Sequence, residues 1–139
     1  MASVGIAAVA MVMVVAMAAR AEEEKDAFRK HPRQTAKAFL DAALNGRYKE
    51  AAAMGDPKSA YSREEKIKQF DVVGLKELPL ASVYADDTRA LAITNKVKAD
   101  HDREGPLLLS LLKRDGKWWI YDVDLEPEDK AKRKLDRFL

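Results

Sequence analysis

The dipeptide Asp115-Gly116 stands between two apolar segments, LLLSLLKR and KWWIYDVDL, and constrains the fold more than any other stretch of the chain. Antiparallel strands joined by two residues usually turn through a type I′ geometry. That geometry needs positive φ at both central positions, and Asp-Gly accepts it. The turn fixes a register: Arg114 opposite Lys117, Lys113 opposite Trp118, Leu112 opposite Trp119, Leu111 opposite Ile120 and Ser110 opposite Tyr121. Strict alternation then puts Trp118, Ile120 and Asp122 on one face with Leu109 and Leu111. Trp119, Tyr121 and Val123 share the other face with Leu108 and Leu112. Both faces are apolar, so both need cover.

Two further strands precede this hairpin. Arg89 to Ala99 alternates, with Leu91, Ile93 and Val97 on one side and Thr94, Lys96 and Lys98 on the other. Leu75 to Tyr84 reads as a strand that Pro79 confines to an edge or a bulge. Asp86-Asp87-Thr88 makes the turn between them, and Asp100 to Pro106 reads as a polar loop before the third strand, Leu107 to Arg114. Lys117 to Leu125 is the fourth.

Helices are predicted upstream of the strands. Ala36, Phe39, Leu40, Ala43 and Leu44 recur at helical spacing between a Thr35 cap and an Asn45-Gly46 stop. A short helix follows from Tyr48 to Met54, closed by Gly55-Asp56-Pro57. A third covers Ser62 to Phe70, with Glu64 and Glu65 placed where the helix dipole favours carboxylates. The last segment, Glu126 to Leu139, reads as a helix with Pro127 at its first position and basic residues late. Its apolar stripe is Ala131, Leu135, Phe138 and Leu139. Helices first and a meandering antiparallel sheet second make an α+β fold, with N-terminal helices packed on about four strands and a helix at the C-terminus.

The amino-terminal end belongs to a different argument. Residues 2 to 19, ASVGIAAVAMVMVVAMAA, carry no charge, and Ala19-Arg20-Ala21 offers small residues where a signal peptidase reads. Residues 1–21 therefore read as a signal peptide cut before Glu22, or as a retained N-terminal anchor. The apolar run would rise ~27 Å as a helix, just short of a ~30 Å hydrocarbon core. Either reading places the rest outside the cytoplasm, periplasmic or extracellular. Residues 22–34, rich in charge with Phe28 the only large apolar residue, read as a tether. With 25 basic and 23 acidic residues the chain is nearly balanced and has no electrostatic reason to seek nucleic acid. It has no cysteine, so apolar burial rather than disulfides must hold the fold.

At this point the residues resemble a known family. TAKAFLDAALNGRYKEAAAMGDP looks like the opening helix pair of the nuclear transport factor 2-like superfamily, the cystatin-like α+β cone. LLLSLLKRDGKWWIYDVDL looks like its closing hairpin. The resemblance covers residues 35–125 and is strongest to the lumazine-binding-like bacterial branch. It implies a curved sheet wrapped around a long helix, forming a cone with an open mouth. Members include isomerases, dehydratases, polyketide cyclases and transport adaptors, so the fold alone selects no function.

Enzymes of that superfamily place acid-base groups inside the cone. The matching search here yields Asp122, in step with Trp118 and Ile120; Asn95, between Ile93 and Val97 or at a bulge; and Tyr84, at the end of the first strand. These are the candidate ligand-binding residues. No histidine falls on the pocket face: His31 lies in the tether, and His101 sits in a loop without a second ligand at metal spacing. No cofactor or metal is expected. The leading expectation is a non-enzymatic binding or interaction domain with a small apolar ligand in the cone. The alternatives are an isomerase or lyase with Asp122 as base, and a membrane-tethered structural protein held by its leader. A homodimer through the Trp119-Tyr121 face competes with the C-terminal helix as cover for the second apolar face.

Overall fold

The computed structural model describes residues 26–69, 77–100 and 103–139. The segment expected as a leader, with its expected cleavage point, the start of the expected tether, Phe70, Leu75 and His101 lie outside the described residues. A 3-10 turn over Ala27–Lys30 leads into helix α1 (Pro32–Leu44) and then α2 (Tyr48–Ala53). A second 3-10 turn, Ala60–Ser62, precedes the short helix α3 (Glu64–Lys68). Strands β1 (Leu80–Ala85), β2 (Arg89–Asp100), β3 (Arg103–Arg114) and β4 (Lys117–Leu125) follow, and helix α4 (Glu128–Phe138) ends the chain. The strands form one antiparallel sheet in the order β1-β2-β3-β4, the α+β architecture that the hairpin and helix patterns imply.

Helix α1 begins three residues before the expected cap. Pro32, whose missing N–H costs nothing in a first turn, occupies its start. Thr35 is fully buried, and its hydroxyl donates to the carbonyls of Phe28 and His31. Gly46 ends the helix at φ 77°, which lets the Arg47 amide reach back 2.9 Å to the Ala42 carbonyl. Ser62 likewise caps nothing; its hydroxyl bonds the Ser59 carbonyl, and Arg63 stands at the start of α3. β3 begins at Arg103 rather than Leu107, so Gly105 and Pro106, expected in a loop, belong to the strand.

Ala36, Phe39, Leu40 and Ala43 of α1 are buried against the inner face of the sheet, where Ala90 and Ala92 are small enough to let the helix approach. Leu107, Leu109, Leu111, Trp118, Ile120 and Val123 complete that core, and Ile67 closes it from α3. Burying side chains of this size contributes about 1.5–3 kcal/mol each.

Part of the stretch expected as a tether is built into the fold. Arg29, only 6% exposed, donates through Nε and Nη2 to the Trp118 carbonyl at 3.1 and 2.9 Å. Its guanidinium also lies 4.4 Å from the centre of the Trp119 ring. A charged residue in a charged segment reads as solvated; only the exposed carbonyl of an edge strand gives it a reason to be buried. The same edge of β4 pairs with Met54 and Asp56, which exchange backbone hydrogen bonds with Ile120. Ser59 and Tyr61 then donate to the carbonyls of Tyr121 and Val123 at 2.7 and 2.8 Å.

The hairpin register matches the expectation from Arg114–Lys117 through Leu111–Ile120, and then breaks. Ser110 pairs with Asp122, so Tyr121 is the extra residue of a bulge. A one-residue slip exchanges the faces. Val123 joins Trp118 and Ile120 in the core, while Asp122 and Asp124 turn outward, opposite Ser110 and Leu108. β2 does the same: between Ile93 and Lys96 the register shifts, so Leu91 and Ile93 face out but Val97 faces in. The buried Thr94 hydroxyl accepts the Leu107 amide at this irregularity.

The second face takes its cover from α4. Ala131, Leu135 and Phe138 pack on Leu91, Ile93 and Leu108, whereas Leu139 is 77% exposed. Pro127 stands just before α4 rather than in its first turn.

At the hairpin tip Asp115 has φ 52° and Gly116 φ 75°, and open space surrounds the Gly116 Cβ position. A substitution there therefore meets backbone strain and no collision. Gly116→Val should lower stability by about 1–3 kcal/mol, read as an earlier midpoint in chemical denaturation. An unchanged midpoint would contradict the turn assignment.

Candidate functional site

The inner side of the molecule has an opening at the flank of α1. Residues four apart on a helix share a face, so Gln34 and Ala38, with Asp41 one turn on, line one wall of a groove. Arg33 and Lys37 form a parallel row beside them. The opposite wall is the approach to β1: Glu77, Leu78, Pro79 and Leu80, with Phe28 at one end. The groove has a volume of about 670 Å³, within the ~300–1,000 Å³ range of small-molecule sites. Phe28, Ala38, Leu78 and Leu80 are half-buried and give it apolar walls. The guanidinium of Arg47 pairs with Asp41 and Glu50, which occupies the Asp41 carboxylate.

The three residues expected to form a pocket do not meet. Tyr84 pairs with Leu91 on β1, on the outer face, and is half-buried. Asn95 is exposed at the β2 bulge, where its backbone N–H donates to the Pro79 carbonyl at 3.1 Å. Asp122 lies on β4, three strand spacings from β1, or about 14 Å. The Tyr121 bulge sends its carboxylate to the outer face, away from Trp118 and Ile120.

What Asp122 meets there is electrostatically distinctive. Burial, then a hydrogen bond with Asp124 and its negative charge, pushes its pKa up to about 6. Burial also opposes the ionised form of Asp124. The hydrogen bond from Asp122 and the ammonium of Lys134, 2.6 Å away, outweigh it and hold Asp124 below the ordinary carboxylate range. Lys134 comes from α4 and also lies 3.6 Å from Glu126. Burial, followed by the charges of Asp122 and Asp124, raises the nearby Tyr61.

Tyr61, Arg29 and Asp56 were not singled out as important by sequence reasoning. Asp56 is 2% exposed; its carboxylate accepts the Lys58 amide and pairs with Arg114 at 2.9 Å. The motif Gly55-Asp56-Pro57 signals a turn, and a Cβ on Gly55 would stand 2.0 Å from the Tyr61 carbonyl oxygen. That close approach is visible only in three dimensions. The bulge is equally hidden, because Trp119, Tyr121, Val123 and Leu125 keep an unbroken apolar alternation along β4.

Among the described residues no three His, Cys, Asp or Glu side chains gather to hold a metal. Nor is any helix among them long and apolar enough to cross a membrane.

No family model matches the chain, and no curated protein does. Among solved structures, a SEC-C motif containing protein from Rhodopseudomonas palustris is similar with a TM-score of 0.54 at 11% identity. That match covers 71% of this chain and 81% of the other, and it shows a shared fold. A domain of unknown function with a cystatin-like fold from Nostoc punctiforme has a TM-score of 0.48 at 16% identity, over 76% and 82% of the two chains.

The raised Asp122 makes stability pH-dependent in a defined direction. Its folded pKa exceeds its unfolded one, so its contribution is complete below the ordinary carboxylate pKa and is lost as pH rises through about 6. Asp124 has the opposite sign, and its contribution is lost as pH falls through its lowered pKa. Between pH about 4 and about 7, wild-type stability should therefore fall more steeply than that of Asp122→Asn. Parallel curves from denaturation at stepped pH would show that Asp122 titrates as an ordinary surface carboxylate.

Proposed function

We propose that this chain works outside the cytoplasm as a non-enzymatic binding domain of the nuclear transport factor 2-like cone class, in its lumazine-binding-like branch. Its ligand site is the groove between α1 and the approach to β1. The observation that carries this reading is the groove itself: apolar walls from Phe28, Ala38, Leu78 and Leu80 surround a small-molecule-sized volume. The group poised to exchange a proton near neutral pH, Asp122, lies on the far edge and opposite face of the sheet. An acid-base role for Asp122 would need a substrate on that outer face rather than in the cone. Export rests on the leader and its small-residue cleavage pattern.

A neutral fluorescent probe such as N-phenyl-1-naphthylamine tests the site directly. Ala38 is half-buried on the groove wall, and Ala38→Trp fills the volume beside it. The wild type should enhance probe fluorescence, and the variant should lose that enhancement while keeping its circular dichroism. Full enhancement in a folded Ala38→Trp protein would place the apolar site elsewhere and overturn the assignment.

A second reading concerns the outer face, where Tyr121 is 39% exposed beside half-buried Trp119 and Leu112. A homodimer through the Trp119-Tyr121 face would bury what α4 leaves uncovered. Light scattering should then give a concentration-dependent dimer mass that Tyr121→Lys lowers to the monomer. A monomer for the wild type at every concentration leaves that face without a partner copy.

A further inference from the structure

The charges around the groove are unequally engaged. Of its four ionisable lining residues, Asp41 is held by Arg47. Arg33, Lys37 and Glu77 make no ion pair among the described residues, which leaves the donors of two cations uncommitted at the groove. The two cations stand four residues apart on one face of α1, where like charges repel and mildly destabilise a helix. Asp41, a further turn along, is held by Arg47; an anion between Arg33 and Lys37 would relieve the repulsion.

The groove therefore has apolar walls and, beside them, two cations that make no ion pair among the described residues. A guanidinium offers a planar fork that receives a carboxylate through two parallel hydrogen bonds, and an ammonium adds a point charge at its side. Resting on the groove reading above, we infer that the ligand class is a single-chain amphipathic carboxylate, with its hydrocarbon tail against Phe28, Leu78 and Leu80 and its head group between Arg33 and Lys37. Gln34, on the same wall, adds an amide donor at the border.

The proposal separates head-group recognition from tail burial, and the experiment reads them separately. Dodecanoate and dodecanol, both below their aggregation limits, are titrated against the full chain by displacement of N-phenyl-1-naphthylamine. The acid should bind about tenfold or more tightly than the alcohol, and raised salt should narrow that ratio. In an Arg33→Gln, Lys37→Gln double variant the acid should fall to the level of the alcohol. Binding of the alcohol should stay unchanged, which also shows that the variant is folded. If acid and alcohol bind equally to the wild type, the carboxylate assignment is wrong while the groove remains a binding site. If the acid keeps its advantage in the double variant, these two cations are not its receptors, and the proposal fails. If neither compound displaces the probe, or the probe does not bind, the groove reading falls with it.

Discussion

The organisation of this molecule depends on closing the free edge of β4. An edge strand presents carbonyls and amides that must find partners, and an apolar edge left open invites pairing with other chains. Here four separate devices meet it: the Arg29 guanidinium at Trp118, the backbone of Met54 and Asp56 at Ile120, the Ser59 hydroxyl at Tyr121, and the Tyr61 phenol at Val123. They come from three pieces of the helical half, Ser59 and Tyr61 sharing the 3-10 turn before α3. By satisfying one strand edge they fix how the residues before α1, the end of α2 and the turn before α3 lie on the sheet. Tyr61 does double duty, since its ring meets Phe39 of α1 edge-on, 6.5 Å between centres.

With that edge closed, the two faces of the sheet receive different treatment. The inner face is packed by α1 and α3 over small β2 residues and large β3 and β4 residues. The outer face is shared between α4 and a polar cluster in which Lys134 joins α4 to Asp124 and Glu126. The groove opens at the other edge, beside β1. The raised carboxyl of Asp122 and the apolar groove therefore sit at opposite edges of the sheet.

The bulges decide which residues take part in each. Without the extra residue at Tyr121, the alternation of β4 would carry the Asp122 carboxylate into the core and leave Val123 outside. Burying an ionised carboxylate without a partner is far costlier than disrupting one rung of the ladder. The bulge is the cheaper arrangement. In β2 the shift after Ile93 brings Val97 into the core, and the Thr94 hydroxyl supplies a hydrogen bond where the ladder is irregular.

Much of the fold was legible in the residues themselves, because it rests on local chemistry. Asp115-Gly116 admits the positive φ of a tight turn, the 3.6-residue spacing of Ala36, Phe39, Leu40 and Ala43 marks a buried helical face, and Leu135 and Phe138 mark the stripe by which α4 packs. The candidate site was not legible to the same degree. Unbroken alternation puts Asp122 in the cone, and the Tyr121 bulge sends it out; Asn95 stands at the β2 irregularity and Tyr84 on the outer face. The groove draws its walls from Phe28, Arg33 to Asp41, and Glu77 to Leu80, segments far apart in the chain whose meeting no local pattern encodes. Arg29 shows the same limit from the other side: its sequence neighbours are charged, and its burial follows only from the Trp118 carbonyl, 89 residues away. Sequence alone determined which elements form and which of their faces are apolar, since backbone geometry and side-chain period act over a few residues. Tertiary structure decided the register beyond each bulge, the closure of the β4 edge and the place of the groove, because those depend on groups that only folding brings together.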